Sequence, residues 1–146
     1  MPLYPPKAAS GGGVTVYQNT LAEYVGANVP GNGASQNVAA LDLPAGTYTL
    51  IGTVCWSDGG GGLENDVCWI GPTSDSFADL YGAAPFSGGP VPGGAENGVA
   101  TVVCANVVLA ALTEVYLGFI GSESLEVTQG AGPFTPYTQL TAIKTA

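Results

Sequence analysis

Histidine and arginine are absent from this sequence, and lysine occurs only at Lys7 and Lys144. Without histidine, Ser-His and Cys-His nucleophilic sites and imidazole metal sites are all excluded. Two lysines cannot neutralise a run of phosphates, so nucleic-acid binding is excluded too. The net charge of −9 also repels anionic membrane surfaces. We therefore expect a non-enzymatic protein with no cofactor, no metal, no nucleic-acid partner and no membrane partner.

Charged residues and long apolar runs are also scarce. Only 9% of the residues are charged, against roughly 25% in ordinary soluble domains. No run approaches the roughly 20 apolar residues of a membrane span. The N-terminus "MPLYPPKAASGGG" lacks the charged and apolar regions of a secretory signal, which predicts synthesis and folding inside a cell. Three cysteines, an odd number, do not form a disulfide framework.

Glycine, proline and short apolar segments are what the sequence does contain. Its 146 residues include 23 glycines and 11 prolines, and 46% are hydrophobic. This composition predicts one domain of short strands joined by turns, an all-β antiparallel sandwich or barrel. The clearest strand is "TYTLIGTVCW" (47–56), whose alternation places Tyr48, Leu50 and Val54 on one face and Ile51 and Cys55 on the other. Further strands are expected at 14–17, 35–43, 66–71, 98–110, 114–121, 123–128 and 137–145.

The first 20 residues are predicted to be an extended N-terminal arm, followed by a sandwich domain over 21–146. Early prolines favour extended conformations, and Gly11 to Gly13 form a flexible joint. The run "VTVY" (14–17) is β-prone and is expected to add to the edge of another sheet. Tyr4 beside Pro5 and Pro6 either anchors this arm on another protein or belongs to a disordered tail.

Four segments occur in a familiar order: "PAGTYTL" (44–50), "DVCWIG" (66–71), "GVATVVCANVVLAALTEVYLGFIG" (98–121) and "YTQLTAIKT" (137–145). Their order resembles the TNF-like jelly roll of complement-type globular heads and of bacteriophage surface proteins. Gly46, Tyr48 and Leu50 match the Pro-x-Gly-x-Tyr strand of that family. The last segment is similar to the terminal strand of phage head-decoration and fibre proteins. The resemblance spans residues 35–145 and departs from the family where "AALTE" (110–114) replaces a Gly-Asp joint.

The resemblance implies a homotrimer of jelly rolls with a structural or binding role at the virion surface, made in the cytoplasm of a host bacterium. Its partners would be the major capsid protein and two further copies of itself. Strands 99–109, 115–120 and 137–143 are apolar on both faces, which fits either a subunit interface or deeply buried central strands. The residues that we expect at the trimer interface are Ile51, Tyr116 and Ile143. The residues that we expect at the capsid are Tyr4, Pro5, Pro6, Lys7, Val14, Val16 and Tyr17.

Two Val-Cys-Trp triplets, at 54–56 and 67–69, flank a segment rich in glycine and acidic residues. In a simple hairpin, Cys55 would lie opposite Cys68, where a cross-strand disulfide is conceivable. In a jelly roll, the two triplets belong to opposite sheets and both thiols are packed and free. A zinc site would need four ligands, and three cysteines without histidine do not supply them. We expect both cysteines to be reduced.

The segment 72–97 is expected to be a long loop with one helical turn near 76–81, projecting outward or wrapping a neighbouring subunit. Phe77, Tyr81 and Phe86 in this loop either pack the protein or form a recognition tip for a host glycan. Acidic residues here and in 58–66 lack the spacing of a calcium loop, so a solvated surface is expected.

Three functions follow from these observations. The first is a capsid decoration protein that binds the head lattice through its arm, favoured because the chain is short and lacks a fibrous stem. The second is a receptor-binding head at a fibre or tail tip that recognises host glycan. The third, a carbohydrate-active enzyme, is disfavoured by the missing histidine and by carboxylates that form no recognisable catalytic pair.

Overall fold

The computed structural model describes residues 14–20, 35–58, 67–85, 96–120, 125–128 and 138–145, with backbone alone at 20, 56–58, 96–98 and 125–128. All regular structure in these residues is β-strand. The strands are β1 Thr15–Thr20, β2 Ser35–Leu43, β3 Gly46–Asp58, β4 Val67–Gly71, β5 Gly82–Pro85, β6 Glu96–Leu109, β7 Thr113–Ile120, β8 Leu125–Thr128 and β9 Gln139–Lys144.

These strands form two antiparallel sheets. The first sheet has the order β1-β9-β3-β6, with β8 pairing the end of β3 beyond β9, and the second has the order β2-β7-β4-β5. Successive strands mostly alternate between the sheets, so the chain repeatedly crosses the sandwich. This connectivity is that of a jelly roll, and the predicted all-β jelly-roll sandwich is confirmed.

The core lies between the inner faces of the two sheets. The first sheet contributes Tyr48, Leu50, Val54 and Leu140, and the second contributes Leu43, Ile70, Val115, Leu117 and Phe119, all fully buried. Each such side chain contributes roughly 1.5–3 kcal/mol by its burial. A Cβ at Gly52 would lie 2.5 Å from Leu117 Cδ1. The leucine of the second sheet therefore fills the space left by the glycine of the first.

A bulge in β6 keeps this strand aligned with the core along its whole length. The register shifts where Tyr48 pairs with Val107 and Leu50 pairs with Cys104. Asn106 has a φ of 59°, a left-handed conformation that asparagine tolerates better than most residues. As a result, Cys104 and Val107 are both buried although they are three residues apart.

The arm prediction is corrected for residues 15–20. β1 pairs with β9 of the same chain over Thr15–Thr20, and Tyr17 packs edge-on against Tyr48 with ring centroids 6.1 Å apart. The "VTVY" run therefore completes its own first sheet, because burying the Tyr17 ring on Tyr48 stabilises this pairing. The remaining arm residues, 1–13, lie outside the described residues.

The expected long loop is also corrected. Residues 82–85 form β5, which pairs with β4, and the backbone N–H of Tyr81 donates to the Ile70 carbonyl at 2.9 Å. Residues 72–81 consist of turns and bends rather than a helical turn. This segment is a tight connection between two paired strands, because the main chain on both sides is held by sheet hydrogen bonds.

Candidate functional site

Among the residues whose side chains the structure describes, those on the outer face of the first sheet carry no charge, and we call this surface the uncharged face. Val16 pairs with Ile143 across β1 and β9, and Ile51 pairs with Val103 across β3 and β6. Threonine and glutamine fill the positions between these pairs, and Gln18 Nε2 donates to Gln139 Oε1 at 3.0 Å. The result is a flat surface of β-branched and amide side chains on a chain with a net charge of −9.

The apolar residues of this face are open to solvent. Val103 is 61% exposed and Val16 is 43% exposed. β6 is the edge strand of its sheet. The apolar residues on its outer face are therefore not explained as those of a deeply buried central strand. β7 differs, since it lies between β2 and β4 and its outer side is partly covered. Burial in a central strand therefore accounts for the second apolar face of β7, whereas the exposed valines of β6 are not covered within the chain.

The three residues expected at a trimer interface are divided between the two sheets. Ile51 and Ile143 lie on neighbouring strands of the uncharged face. Tyr116 lies on the outer face of the second sheet, where its hydroxyl donates to Glu114 Oε2 at 2.6 Å. This bond to the carboxylate raises the pKa of Tyr116 above its ordinary value.

The residues expected at the capsid are also divided. Val14 and Val16 are exposed, at 57% and 43%. Tyr17 is half-buried against the core, so only part of its ring is open to a capsid contact. Four further candidates, Tyr4, Pro5, Pro6 and Lys7, lie outside the described residues.

A hydrogen-bonded clamp holds the 72–81 segment against β2. The Asn37 backbone N–H donates to Asp75 Oδ1 at 2.9 Å, and the Asp75 N–H donates to Asn37 Oδ1 at 3.0 Å. Asn37 Nδ2 also donates to Ser74 Oγ at 2.8 Å. Asp75 and Asp79 have positive φ values of 48° and 54°, which aspartate accepts at turns.

This clamp determines how the loop aromatics are presented. Phe77 is 47% exposed, whereas Tyr81 is half-buried and packs against the core. Burial raises the pKa of Tyr81. Phe86, the third residue of the expected recognition tip, lies outside the described residues. Phe77 is therefore the described aromatic that this segment offers to a ligand.

Trp69 occupies a position that strand alternation alone does not reveal. It lies on the outer face of the second sheet, opposite Gly118 of β7, yet it is fully buried. A Cβ at Gly118 would lie 2.2 Å from Trp69 Cζ2, so the indole lies across the glycine. The signal for this arrangement is a glycine in a neighbouring strand, which becomes visible only once the strand register is known.

All three cysteine side chains are buried, and Cys68 and Cys104 are free thiols. Cys55 lies in the first sheet and Cys68 in the second, so the prediction that the two triplets belong to opposite sheets is confirmed. The Cys55 backbone N–H donates to Thr138 Oγ1 at 2.9 Å. Burial, with a smaller contribution from the nearby Cys104, raises the pKa of Cys68 to about 12. Thiols held in this neutral state are poor nucleophiles at neutral pH.

Among the described residues, no three His, Cys, Asp or Glu side chains lie close enough together to hold a metal ion. The same part of the chain contains no helix of the length and hydropathy needed to span a membrane. What the described surface offers is therefore a set of contact faces: the uncharged face, the clamped 72–81 segment and the exposed start of β1.

Two antiparallel sheets joined by crossing connections place this chain in the jelly-roll class, which includes viral capsid and lectin domains. Among solved structures, it is similar to the VP2 subviral particle of infectious bursal disease virus, with a TM-score of 0.50 and 13% identity over 99% of this chain and 37% of that chain. It is also similar to T=1 particles derived from infectious bursal virus, with a TM-score of 0.50 and 13% identity over 99% of this chain and 35% of that chain.

At this level of identity, the likeness shows the fold alone. The chain spans little more than a third of the length of these two solved proteins. No protein-family model matches the sequence, and no curated protein matches it. The fold is thus a jelly roll similar to the one in these capsid proteins.

Proposed function

We propose that this chain is a non-enzymatic virion structural protein that decorates the outer surface of a phage head as a homotrimer. The observation that carries this proposal is the exposed, uncharged face of the first sheet. Charged residues are depleted at the centres of protein–protein interfaces, and exposed apolar patches mark such interfaces. A flat uncharged surface on a strongly acidic protein therefore fits contact with another protein. The TNF-like phage pattern of the sequence and the capsid-type fold both favour a virion as its location.

The uncharged face suits association between copies of the chain. Three apolar residues lie close together on this face: Ile51, Ile143 and Val103. Covering them does not remove water from any charged group, so their burial carries no charge-desolvation cost. A cyclic trimer has head-to-tail interfaces, so each copy must contribute two different surfaces. Tyr116 lies on the outer face of the second sheet, whereas Ile51 and Ile143 lie on the outer face of the first. Two separate surfaces of this kind are compatible with a head-to-tail interface.

The residues before β1 supply the attachment to the major capsid protein. They join the sandwich at the exposed Val14, next to the pairing of Thr15 with Lys144. Their prolines, Tyr4 and Lys7 form a short apolar arm with one positive charge. A segment of this kind adds contact area without requiring a second folded domain.

The test is deletion of residues 1–13, with capsid occupancy measured by sedimentation and quantitative gel analysis on particles that lack this chain. We expect occupancy to be lost while the truncated protein remains folded, because β1 is intact. Deletion through residue 17 is not equivalent, since it removes half of β1 and the contact between Tyr17 and Tyr48. Full occupancy by the 14–146 chain would contradict the role of the arm.

Phe77 supports one other function, recognition of a host glycan. It is 47% exposed on a segment that is fixed by the Asn37–Asp75 clamp, and exposed aromatic rings on rigid loops bind sugars. Glycan-array binding that disappears in Phe77→Ala, together with unchanged capsid occupancy, would favour this receptor-binding function over decoration.

A further inference from the structure

One end of the sandwich, here called the turn end, is apolar and exposed. It consists of Val14, the β2–β3 turn at 44–45 and the β6–β7 turn with its flanking Val108, residues 108–112. Leu112 is 72% exposed and Val108 is 71% exposed, the two largest values among the exposed apolar side chains described. Ala110 and Ala111 between them are exposed as well. This is the "AALTE" stretch that departs from the resembled family.

The turn end is held in one conformation by hydrogen bonds from the sandwich. The Tyr48 hydroxyl donates to the Pro44 carbonyl at 2.8 Å, and Lys144 Nζ donates to the Ala45 carbonyl at 3.0 Å. In the neighbouring turn, Thr113 Oγ1 donates to the Ala111 carbonyl at 3.0 Å. An apolar surface that is already ordered loses little conformational entropy when a partner covers it.

Two acidic side chains lie beside this surface. Asp42 lies directly opposite Glu114 on β2 and β7, next to the two turns, and both side chains are exposed. Like charges at directly opposed positions destabilise a sheet. Lys144, the one cation in the described part of the chain, is bonded to a backbone carbonyl instead. The Glu114 carboxylate also accepts a hydrogen bond from the Tyr116 hydroxyl, and both acidic side chains are open to a positive group from outside.

The opposite end of the first sheet has a different character. There Asp58 pairs with Glu96, and Ser57 pairs with Glu126. The described backbone therefore brings three acidic positions together at that end, whereas the exposed apolar residues Val108 and Leu112 are at the turn end.

We propose that the turn end is a docking surface that seats on the virion lattice protein, with Leu112 and Val108 entering an apolar pocket and Asp42 and Glu114 facing lysine or arginine at the rim of that pocket. This proposal rests on the proposed function and adds a second contact to the arm. Both contacts are at the same end of the molecule, because residues 1–13 join the sandwich at Val14.

Two other occupants fit the observations less well. A membrane surface would meet a chain with a net charge of −9 and the exposed Asp42 and Glu114, and anionic headgroups repel such a surface. A second copy of this chain would bring Asp42 and Glu114 against another acidic protein that has only two lysines. A lattice protein with a basic-rimmed pocket satisfies both the apolar and the charged features.

The experiment measures binding of full-length variants to capsids assembled without this chain, by sedimentation over a range of protein concentrations. The double variant Val108→Thr with Leu112→Asn should bind at least tenfold more weakly while its unfolding midpoint stays unchanged, since both side chains are mostly solvent-exposed. The variant Asp42→Asn with Glu114→Gln should show weaker binding at low salt and a flatter dependence of binding on salt concentration.

Val99→Thr, at an exposed valine towards the opposite end of β6, is the matched control and should bind as the wild type does. Wild-type affinity in the Val108/Leu112 variant, with binding lost on deletion of residues 1–13, would overturn the docking surface and leave the proposed function standing. If wild-type protein does not bind these capsids at all, the proposed function fails and this inference fails with it.

Discussion

Gly118 is the residue at which the second sheet depends most on a missing side chain. A Cβ at this position would lie 2.2 Å from Trp69 Cζ2 and 2.5 Å from the Gln36 carbonyl oxygen. The first contact is with a fully buried ring and the second is with backbone, so neither neighbour moves easily. Strand alternation points Trp69 outward, and Gly118 is what allows its ring to lie flat and become buried.

We predict that Gly118→Ala destabilises the protein by about 3 kcal/mol, because overpacking a buried ring forces the backbone to shift. Gly71→Ala is the matched control on the same sheet, since the nearest atom there is the flexible Leu80 Cδ2 at 3.1 Å. It should cost about 1 kcal/mol or less. Urea unfolding measures both variants, and equal stabilities would show that Trp69 does not lie on Gly118.

Cys68 links protein stability to alkaline pH. Burial raises its pKa to about 12 in the folded chain, against roughly 8.5 for an exposed thiol. Above pH 8.5 the unfolded chain releases this proton and the folded chain does not, so the stabilising contribution is complete below that pH and is lost as pH rises towards 12. The loss should approach 1.4 kcal/mol per pH unit for this thiol.

The measurement is urea unfolding of the wild type and of Cys68→Ala at pH 8 and pH 10.5. We expect the difference in unfolding free energy between the two proteins to shrink at the higher pH. In the folded wild type, the thiol should also resist alkylation at pH 8. A difference that stays constant with pH would mean that Cys68 ionises as readily in the folded as in the unfolded chain.

At the scale of elements, the sequence predicts strongly alternating strands well and short ones poorly. Tyr48, Leu50 and Val54 point to the core as their period of two predicts. β5, with the sequence "GAAP", has no β-branched or aromatic residue. Its strand conformation comes from pairing with β4, which is a tertiary interaction. The bulge in β6 is also hard to predict, because its sequence signal is a single asparagine, Asn106. Its position is fixed by the register of β6 against β3.

The clamp between β2 and the 72–81 segment gives a prediction at this scale. Asn37→Ala removes the side chain that donates to Ser74 and accepts from Asp75. We expect amide hydrogen exchange across 72–80 to accelerate at least tenfold, while exchange in β3 and β7 is unchanged. Gln18→Ala, which removes exposed side-chain bonds on the uncharged face, is the control. Unchanged protection in Asn37→Ala would show that the clamp does not order this segment.

At the scale of the whole molecule, the candidate surfaces were less predictable than the fold. The sequence singled out Ile51 and Ile143, and the register places them on one face. Tyr116 lies on the other sheet, because alternation gives the face of a strand but not which sheet the strand joins. Tyr17 faces the core while Val16 of the same strand is exposed. The apolar turn end was not predicted, since "VLAALT" is also typical of a buried connection and its exposure depends on three-dimensional position.

The trimer proposal predicts a native mass three times that of the 14.5 kDa chain. Ile51→Lys places a charge at the centre of the uncharged face and should yield monomers, since burying an unpaired charge costs several kcal/mol. Ala83→Lys, at an exposed position of β5, should leave the mass unchanged. Native mass spectrometry measures all three proteins, and a wild-type monomer would contradict the trimer.

The pairing of β1 with β9 has a mechanical consequence. A force applied at Thr15 along the axis of β1 acts on the whole strand at once. All six residue pairs, from Thr15 with Lys144 to Thr20 with Gln139, then share the load in shear. A force across the strands would instead open the pairs one at a time. A strand loaded along its axis therefore resists tension without any covalent cross-link.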